Sequence, residues 1–180
     1  MSYCSFCASR SEDDLHRLYH DDRYGFPVAE DEELFGRLIM EINQAGLSWD
    51  TILKKEASLR SAYAEFDFRK IAQFTEEEEL QLMSNAGIIR HRAKIKAAVY
   101  NAQKVIELTD EYGSFQEWLS FHHPKTHEEW NKLFKKTFKF VGAEIVKEFL
   151  MSVGYLPGAH HENCPIFEKV LLTSPKWMEK

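Results

Sequence analysis

Two sets of side chains in this sequence are spaced so that they could act together. The first joins the two ends of the chain: Cys4, Cys7 and His20 near the start, and His160-x₃-Cys164 near the finish. Two thiolates and two imidazoles suit tetrahedral zinc, and the His-x₃-Cys half fits a loop or helical turn that aims both side chains at one ion. Such a set leaves no open position, so a zinc held by one or both N-terminal cysteines with His20, His160 and Cys164 is structural. It would tie down chain ends that otherwise fray. The competing reading is chance, because eight histidines and three cysteines readily produce a His-x₃-Cys, and a lone cysteine often packs as a small hydrophobe.

The second set centres on Glu41, one helical turn beyond Leu38 and two beyond Leu34. That places it on the border of an apolar stripe, where a carboxylate reaches solvent or faces a cleft. Gln44-Ala45-Gly46-Leu47-Ser48-Trp49 follows, and Gly46 lets the chain turn and bring an indole close to Glu41. A carboxylate beside an aromatic plane can hold a flat heterocycle with donor edges, stacking giving affinity and hydrogen bonds giving identity. Tyr19 adds a phenolic hydroxyl. A core indole and a salt-bridged carboxylate explain the same pair, and Tyr24 and Phe6 serve equally well as packing. A third feature is the turn Lys135-Lys136-Thr137-Phe138-Lys139-Phe140-Val141-Gly142. Gly142 opens a helix whose free N–H groups attract a phosphate, with lysines flanking it and Phe and Val residues anchoring the turn. It lacks the Gly-x-Gly of stronger signatures, and a lysine-bearing turn is often only solvated.

The elements that must position these groups read as helices. Apolar residues recur at Leu34, Phe35, Leu38, Ile39 and Ile42, at Ile95, Ala98, Val99, Ala102 and Ile106, and at Ile145, Val146, Phe149, Leu150 and Val153. Thr75 with Glu78, Ser114 with Glu117 and Thr126 with Glu129 have capping-box spacing, and Gly87 and Gly154 stand where helices end. The only β-like run, Phe138–Val141, is four residues between two helices. The expectation is an all-α single domain over residues 1–180, with roughly eight helices. The tail 165–180 lacks a clear period and reads as loosely ordered.

Composition agrees. With 44% hydrophobic and 29% charged residues the chain is globular rather than disordered, and it has no apolar run of membrane-spanning length. The N-terminus lacks the apolar region of a secretory signal, so a cytoplasmic protein without a disulfide framework is expected. A net charge of −6 argues weakly against wholesale nucleic-acid binding. The charge is segregated, however: acid at Glu30–Glu33 and Glu76–Glu79, base at Arg90, Arg92, Lys94 and Lys96 and at Lys132, Lys135, Lys136 and Lys139.

Taken together, Tyr3-Cys4-Ser5-Phe6, Leu18–Asp21, Tyr24–Pro27, Glu41–Trp49, Ile52–Lys55, Ala86–Arg92 and Phe138–Gly142 resemble DNA-3-methyladenine glycosylase I, a family of the helix-hairpin-helix glycosylase superfamily. The resemblance runs from Cys4 to Cys164, and its QAGLSW and AGIIRHR blocks are its most specific parts. It implies a monomeric enzyme acting on alkylated double-stranded DNA and releasing 3-methyladenine without a lyase step. It also implies one structural zinc on Cys4, His20, His160 and Cys164. Cys7 is the alternative to Cys4: Cys7 matches the family's spacing to His20, whereas Cys4 keeps its Cys-x-aromatic order through Phe6. In the family, the residues matching Glu41 and Tyr19 contact the edge of the extruded base and that matching Trp49 stacks on it. Phe6, His16 and Tyr24 complete the base-binding set. The turn with Lys136, Phe138, Lys139, Phe140 and Gly142 matches the DNA-gripping hairpin. His16 stands where a tyrosine is usual, Tyr24 where a tryptophan is usual, and Asn43 where glutamine is common. Two rivals follow from the same residues: a binding module for alkylated DNA that has lost turnover, and an HD-type metal-dependent phosphohydrolase built on His20-Asp21, with which cysteine ligands are out of character.

Overall fold

The helices begin where cap residues stand in the sequence. The computed structural model describes residues 2–179 and, among these, contains helices and no strand. They are α1 (Tyr3–Ala8), α2 (Leu15–Asp22), α3 (Asp31–Gln44), α4 (Trp49–Ala62), α5 (Phe68–Ile71), α6 (Glu76–Ser84), α7 (Arg92–Tyr112), α8 (Phe115–His122), α9 (His127–Thr137), α10 (Ala143–Ser152) and α11 (Pro165–Leu172). Single 3-10 turns lie at Ala64–Phe66 and Lys176–Met178. Thr75 and Thr126 form full capping boxes with Glu78 and Glu129. Ser114 caps one way, accepting from the Glu117 N–H. No described helix is long and apolar enough to cross a membrane.

At the centre stands α3, packed against α4, α7, α8 and α10. Its predicted apolar stripe is buried, and so are Met40, Arg37 and Glu41 on its other sides. A helix covered all round is a core helix, so truncating Phe35, which is wholly buried, would cost about 3–5 kcal/mol. The predicted face of α7 is buried from Ile95 to Ala102.

Three findings depart from the sequence reading. The helix count exceeds eight because α1 and α5 are too short for a 3.6-residue period to be recognised, and in α11 the near-continuous apolar run Ile166, Phe167, Val170, Leu171 and Leu172 hides it. The C-terminal segment is a helix with Cys164 as its N-cap and Pro165 in its first turn. Its Ile166 and Val170 are buried against Cys4 and Phe26, and the Trp177 N–H donates to the Gly154 carbonyl (3.1 Å). Gly87 does not end α6: Asn85 is the C-cap, and its side chain accepts from the Gly87 N–H (2.8 Å).

Candidate functional site

A cavity of about 400 Å³ opens where α1, α2, α3, α10 and the start of α4 converge, lined by Tyr3, Tyr19, Tyr24, Glu41, Gln44, Trp49, Glu144 and Glu148. Glu41 lies one turn from the end of α3 and is only 5% exposed. Burial, reinforced by the Glu148 carboxylate and opposed by Arg37, pushes its carboxyl up to about 8. It makes no hydrogen bond or ion pair with the described residues. An unpartnered carboxylate facing a cavity destabilises a fold unless a ligand takes up its hydrogen-bonding capacity.

Arg37, one turn before Glu41 on α3, donates to the Tyr19 phenolic oxygen (3.4 Å). The Tyr19 ring and hydroxyl thereby stand fixed at the cavity wall. Arg37 is itself held by Glu33 (2.9 Å). Burial would raise the Glu33 carboxyl, but Arg60 and Arg37 overcome this and hold it at about 2. Arg23 and Glu56 complete this ionised network behind the tyrosine.

The indole is delivered by a short, well-determined turn. Gly46 has φ +81°, a conformation natural to glycine. Gln44 donates to the Leu47 carbonyl (2.9 Å), and Ser48 caps α4 by accepting from the Thr51 N–H. Lys94, buried on α7, donates to the carbonyls of Asn43 (2.8 Å) and Ala45 (2.7 Å). It satisfies acceptors that the end of α3 would leave orphaned. Trp49 then stands half-buried with its ring centre 5.1 Å from that of Tyr19. Across the cavity, Tyr24 donates its hydroxyl to Glu148 Oε2 (3.0 Å).

Beside this cavity, Cys4, His20, His160 and Cys164 bring one donor atom each within 4.8 Å of one another. His20 Nε2 and His160 Nδ1 are 3.1 Å apart. Cys164 Sγ lies 3.8 and 3.7 Å from them, and Cys4 Sγ lies 4.0 Å from His160 Nδ1. Tetrahedral zinc at ordinary bond lengths separates its ligand atoms by roughly 3.4–3.8 Å, so the set fits. The far side of each imidazole is fixed: His20 Nδ1 faces Asp21 Oδ1 (2.6 Å), and His160 Nε2 donates to the Tyr24 carbonyl (2.7 Å). Those partners orient both rings so that the remaining nitrogen lone pairs point inward. Cys7 is outside this group; its thiol donates to the His16 carbonyl (3.6 Å). Asp21 orients His20 rather than facing an open metal position, which counts against the phosphohydrolase reading.

The family model described as methyladenine glycosylase matches residues 9–132. The chain belongs to the methyladenine glycosylase family. It is 34% identical over 167 residues to DNA-3-methyladenine glycosylase 1 of Escherichia coli (strain K12), covering 82% of this chain and 89% of that one. It is 35% identical over 178 residues to the DNA-3-methyladenine glycosylase of Haemophilus influenzae, covering 88% and 96%. Its fold matches that of 3-methyladenine DNA glycosylase I from Staphylococcus aureus with a TM-score of 0.80 at 32% identity, over 92% of this chain and 97% of the other.

In this methyladenine glycosylase the structure gathers Tyr19, Tyr24, Glu41 and Trp49 around one cavity but leaves Phe6 and His16 outside its lining. Tyr3 stands there instead, its hydroxyl 3.2 Å from His16 Nδ1 and its ring beside that of Phe6. His16 also approaches Asp50 on α4 (3.6 Å), so it braces the rim from behind. The turn between α9 and α10 exposes Lys136, Lys139 and Phe140 and buries Phe138. Phe138 therefore anchors the turn and does not offer a face to a ligand. Phe140 has φ +57°, and Gly142 is the N-cap of α10.

Four residues that line the cavity or brace the segments around it are not singled out by the sequence: Tyr3, Glu148, Lys94 and Asn101. Asn101, wholly buried on α7, clamps the turn by donating to the Lys139 carbonyl (3.1 Å) and accepting from the Lys139 N–H (2.7 Å). Lys94 belongs in the sequence to the basic run with Arg90, Arg92 and Lys96, but its ammonium is turned inward. A Glu144/Glu148 pair at i,i+4 reads as a solvated face, so only the packing of α10 on α3 reveals it.

Proposed function

We infer that this chain is a DNA glycosylase of base-excision repair that hydrolyses the N-glycosidic bond of 3-methyladenine in alkylated DNA. The observation that carries the reading is Glu41, buried without a partner at a cavity walled by Trp49 and Tyr19, in a chain whose relatives carry that name. An adenine methylated at N3 is cationic and leaves as a neutral base, so the site need not protonate the leaving group. Its work is to hold the extruded nucleotide and stabilise the positive sugar.

In this reading Trp49 stacks on the base, Glu41 accepts hydrogen bonds from its edge, and the Tyr19 hydroxyl helps orient it. The cation's own charge favours the ionised carboxylate that burial disfavours. Tyr24 completes the wall, while Phe6 and His16 support it through Tyr3. The exposed Lys136, Lys139 and Phe140, with the α10 N-terminus at Gly142, serve as a sequence-independent grip on the backbone of double-stranded DNA, in the manner of a helix-hairpin-helix. A zinc held by Cys4, His20, His160 and Cys164 would supply a structural cross-link and no open position for chemistry. No lysine is among the residues lining the cavity, which favours simple hydrolysis over a lyase step through a Schiff base.

Chromatography of bases freed from methylated DNA tests the assignment. Wild type should release 3-methyladenine, and Glu41→Ala should lose about 100-fold or more in rate while keeping its fold. Wild-type activity in that variant would refute the role. A protein that binds alkylated DNA and frees no base would establish the non-catalytic module instead.

A further inference from the structure

The base pocket holds a second carboxylate that the assignments above leave without a task. Glu148 lies on α10, one turn beyond Glu144, and both line the cavity shared with Glu41. Glu144 is exposed at the rim, whereas Glu148 is half-buried. The Tyr24 hydroxyl holds Oε2 of Glu148, which fixes the group and leaves its other oxygen uncommitted. No lysine or arginine forms an ion pair with Glu148 among the described residues, and none lines the cavity.

We propose that Glu148, positioned by Tyr24, is a second base-contacting carboxylate, and that it acts with Glu41 to select a base carrying positive charge. This rests on the reading of the cavity as the base pocket. Two acidic groups facing one sparsely solvated space do not both carry charge readily: Glu41 holds a proton at neutral pH, and a cation between the two groups lets both ionise. The Glu148 carboxylate adds to burial in raising the proton affinity of Glu41.

Chemistry and shape decide which cation. The glutamates do not converge as metal ligands do; the described residues contain one convergent group, the Cys/His cluster. Charge spread along the cavity walls suits a flat, delocalised cation better than a point ion. The cavity of about 400 Å³ falls within the range of small-molecule sites, and the Trp49 face offers a stacking surface. A neutral base of equal shape offers no charge to draw the proton from Glu41 and leaves Glu148 uncompensated, so discrimination operates on charge in addition to contour.

The test uses the full-length protein and two probes, the fixed cation 3,9-dimethyladeninium and its neutral 3-deaza isostere, with binding read by tryptophan fluorescence. Wild type should prefer the cation, and Glu148→Gln should reduce that preference roughly ten- to hundred-fold, the weight of one nearby opposite charge. Binding of the neutral probe should stay the same or improve, and the melting temperature should not fall. Tyr24→Phe should move the preference in the same direction by less.

An unchanged preference in Glu148→Gln overturns the proposal, as does an equal loss of both probes, which would mark a role in shape alone. Excision by Glu41→Gln separates this failure from that of the underlying reading. An inactive Glu41→Gln beside a Glu148→Gln with wild-type preference removes only the role given to Glu148. Full activity in Glu41→Gln removes the base pocket itself.

Discussion

Replacing Glu41 by glutamine should abolish function and stabilise the fold, and the second effect follows from burial. On folding, the carboxyl moves from an ordinary 4.5 to about 8, because burial disfavours its charge and Glu148 repels it, with Arg37 only partly opposing. Below pH 4.5 the group is protonated in both states and imposes no penalty. Between 4.5 and 8 the unfolded chain releases the proton and the folded chain keeps it, so stability falls as pH rises through that window and levels off above 8. At about 1.4 kcal/mol per pH unit, the penalty is on the order of 3 kcal/mol at pH 7 and nears about 5 kcal/mol above pH 8. The glutamine amide has the carboxylate's shape without its charge, although its own desolvation offsets part of the gain. Glu41→Gln should thus exceed wild type by roughly 2–4 kcal/mol at pH 8, about 4–16 °C in melting temperature, and by nearly nothing at pH 4. Thermal and urea unfolding at pH 4, 7 and 8, beside excision assays on the same preparations, checks this. A variant less stable than wild type at pH 8, or a difference independent of pH, would refute the account of Glu41 as an uncompensated buried acid.

Two further expectations concern the metal cluster and the turn. Elemental analysis should find one zinc per chain, and His160→Ala should lose it together with several kcal/mol of stability, about 10 °C or more in melting. Cys4→Ser should behave likewise and Cys7→Ser should retain the metal, whereas a metal-free protein of full stability would remove the cluster's role. Asn101→Ala should remove both protein partners of the Lys139 backbone, costing about 1–2 kcal/mol. It should weaken binding of duplex DNA several-fold while free 3-methyladenine binds as before, and equal loss of both would contradict a role confined to the turn.

Much of this arrangement was legible because long amphipathic helices announce themselves. The period of α7 marks its buried face, that of α3 marks a helix the packing then covers on every side, and the border position of Glu41 is visible in its spacing from Leu34 and Leu38. The Gly46 turn and the Gly142 N-cap were legible from residue type. Other features depend on packing that no local pattern encodes. Cys4 and Cys7 share a face of one short helix, being three residues apart, so spacing could not choose between them. The choice is made by where the His160 loop meets α1. Phe6 and His16 were assigned through family resemblance, and the structure seats Tyr3 in front of them. Lys94 looked like surface charge because a lysine on a helix normally is. Its burial follows from the carbonyls left open at the end of α3.

The Cys/His cluster and the cavity share a residue, which would give the cluster a role beyond holding the chain ends. Tyr24 accepts at its carbonyl from His160 Nε2 and donates at its hydroxyl to Glu148. One residue therefore fixes an imidazole on one side and a pocket carboxylate on the other. Its neighbour Gly25 donates to the Ser152 carbonyl at the end of α10 (2.9 Å). A Cβ on Gly25 would sit 2.8 Å from that of Ala159, so the His160 loop packs directly on the segment that carries Tyr24. The helix α10 begins at the exposed turn, presents Glu148 to the cavity midway, and ends against that same segment. Rigid helices with a tightly packed junction transmit displacement instead of absorbing it. An ion at the cluster would then hold the cavity wall in register with the turn proposed to grip DNA, although it would touch neither the base nor the bond being broken.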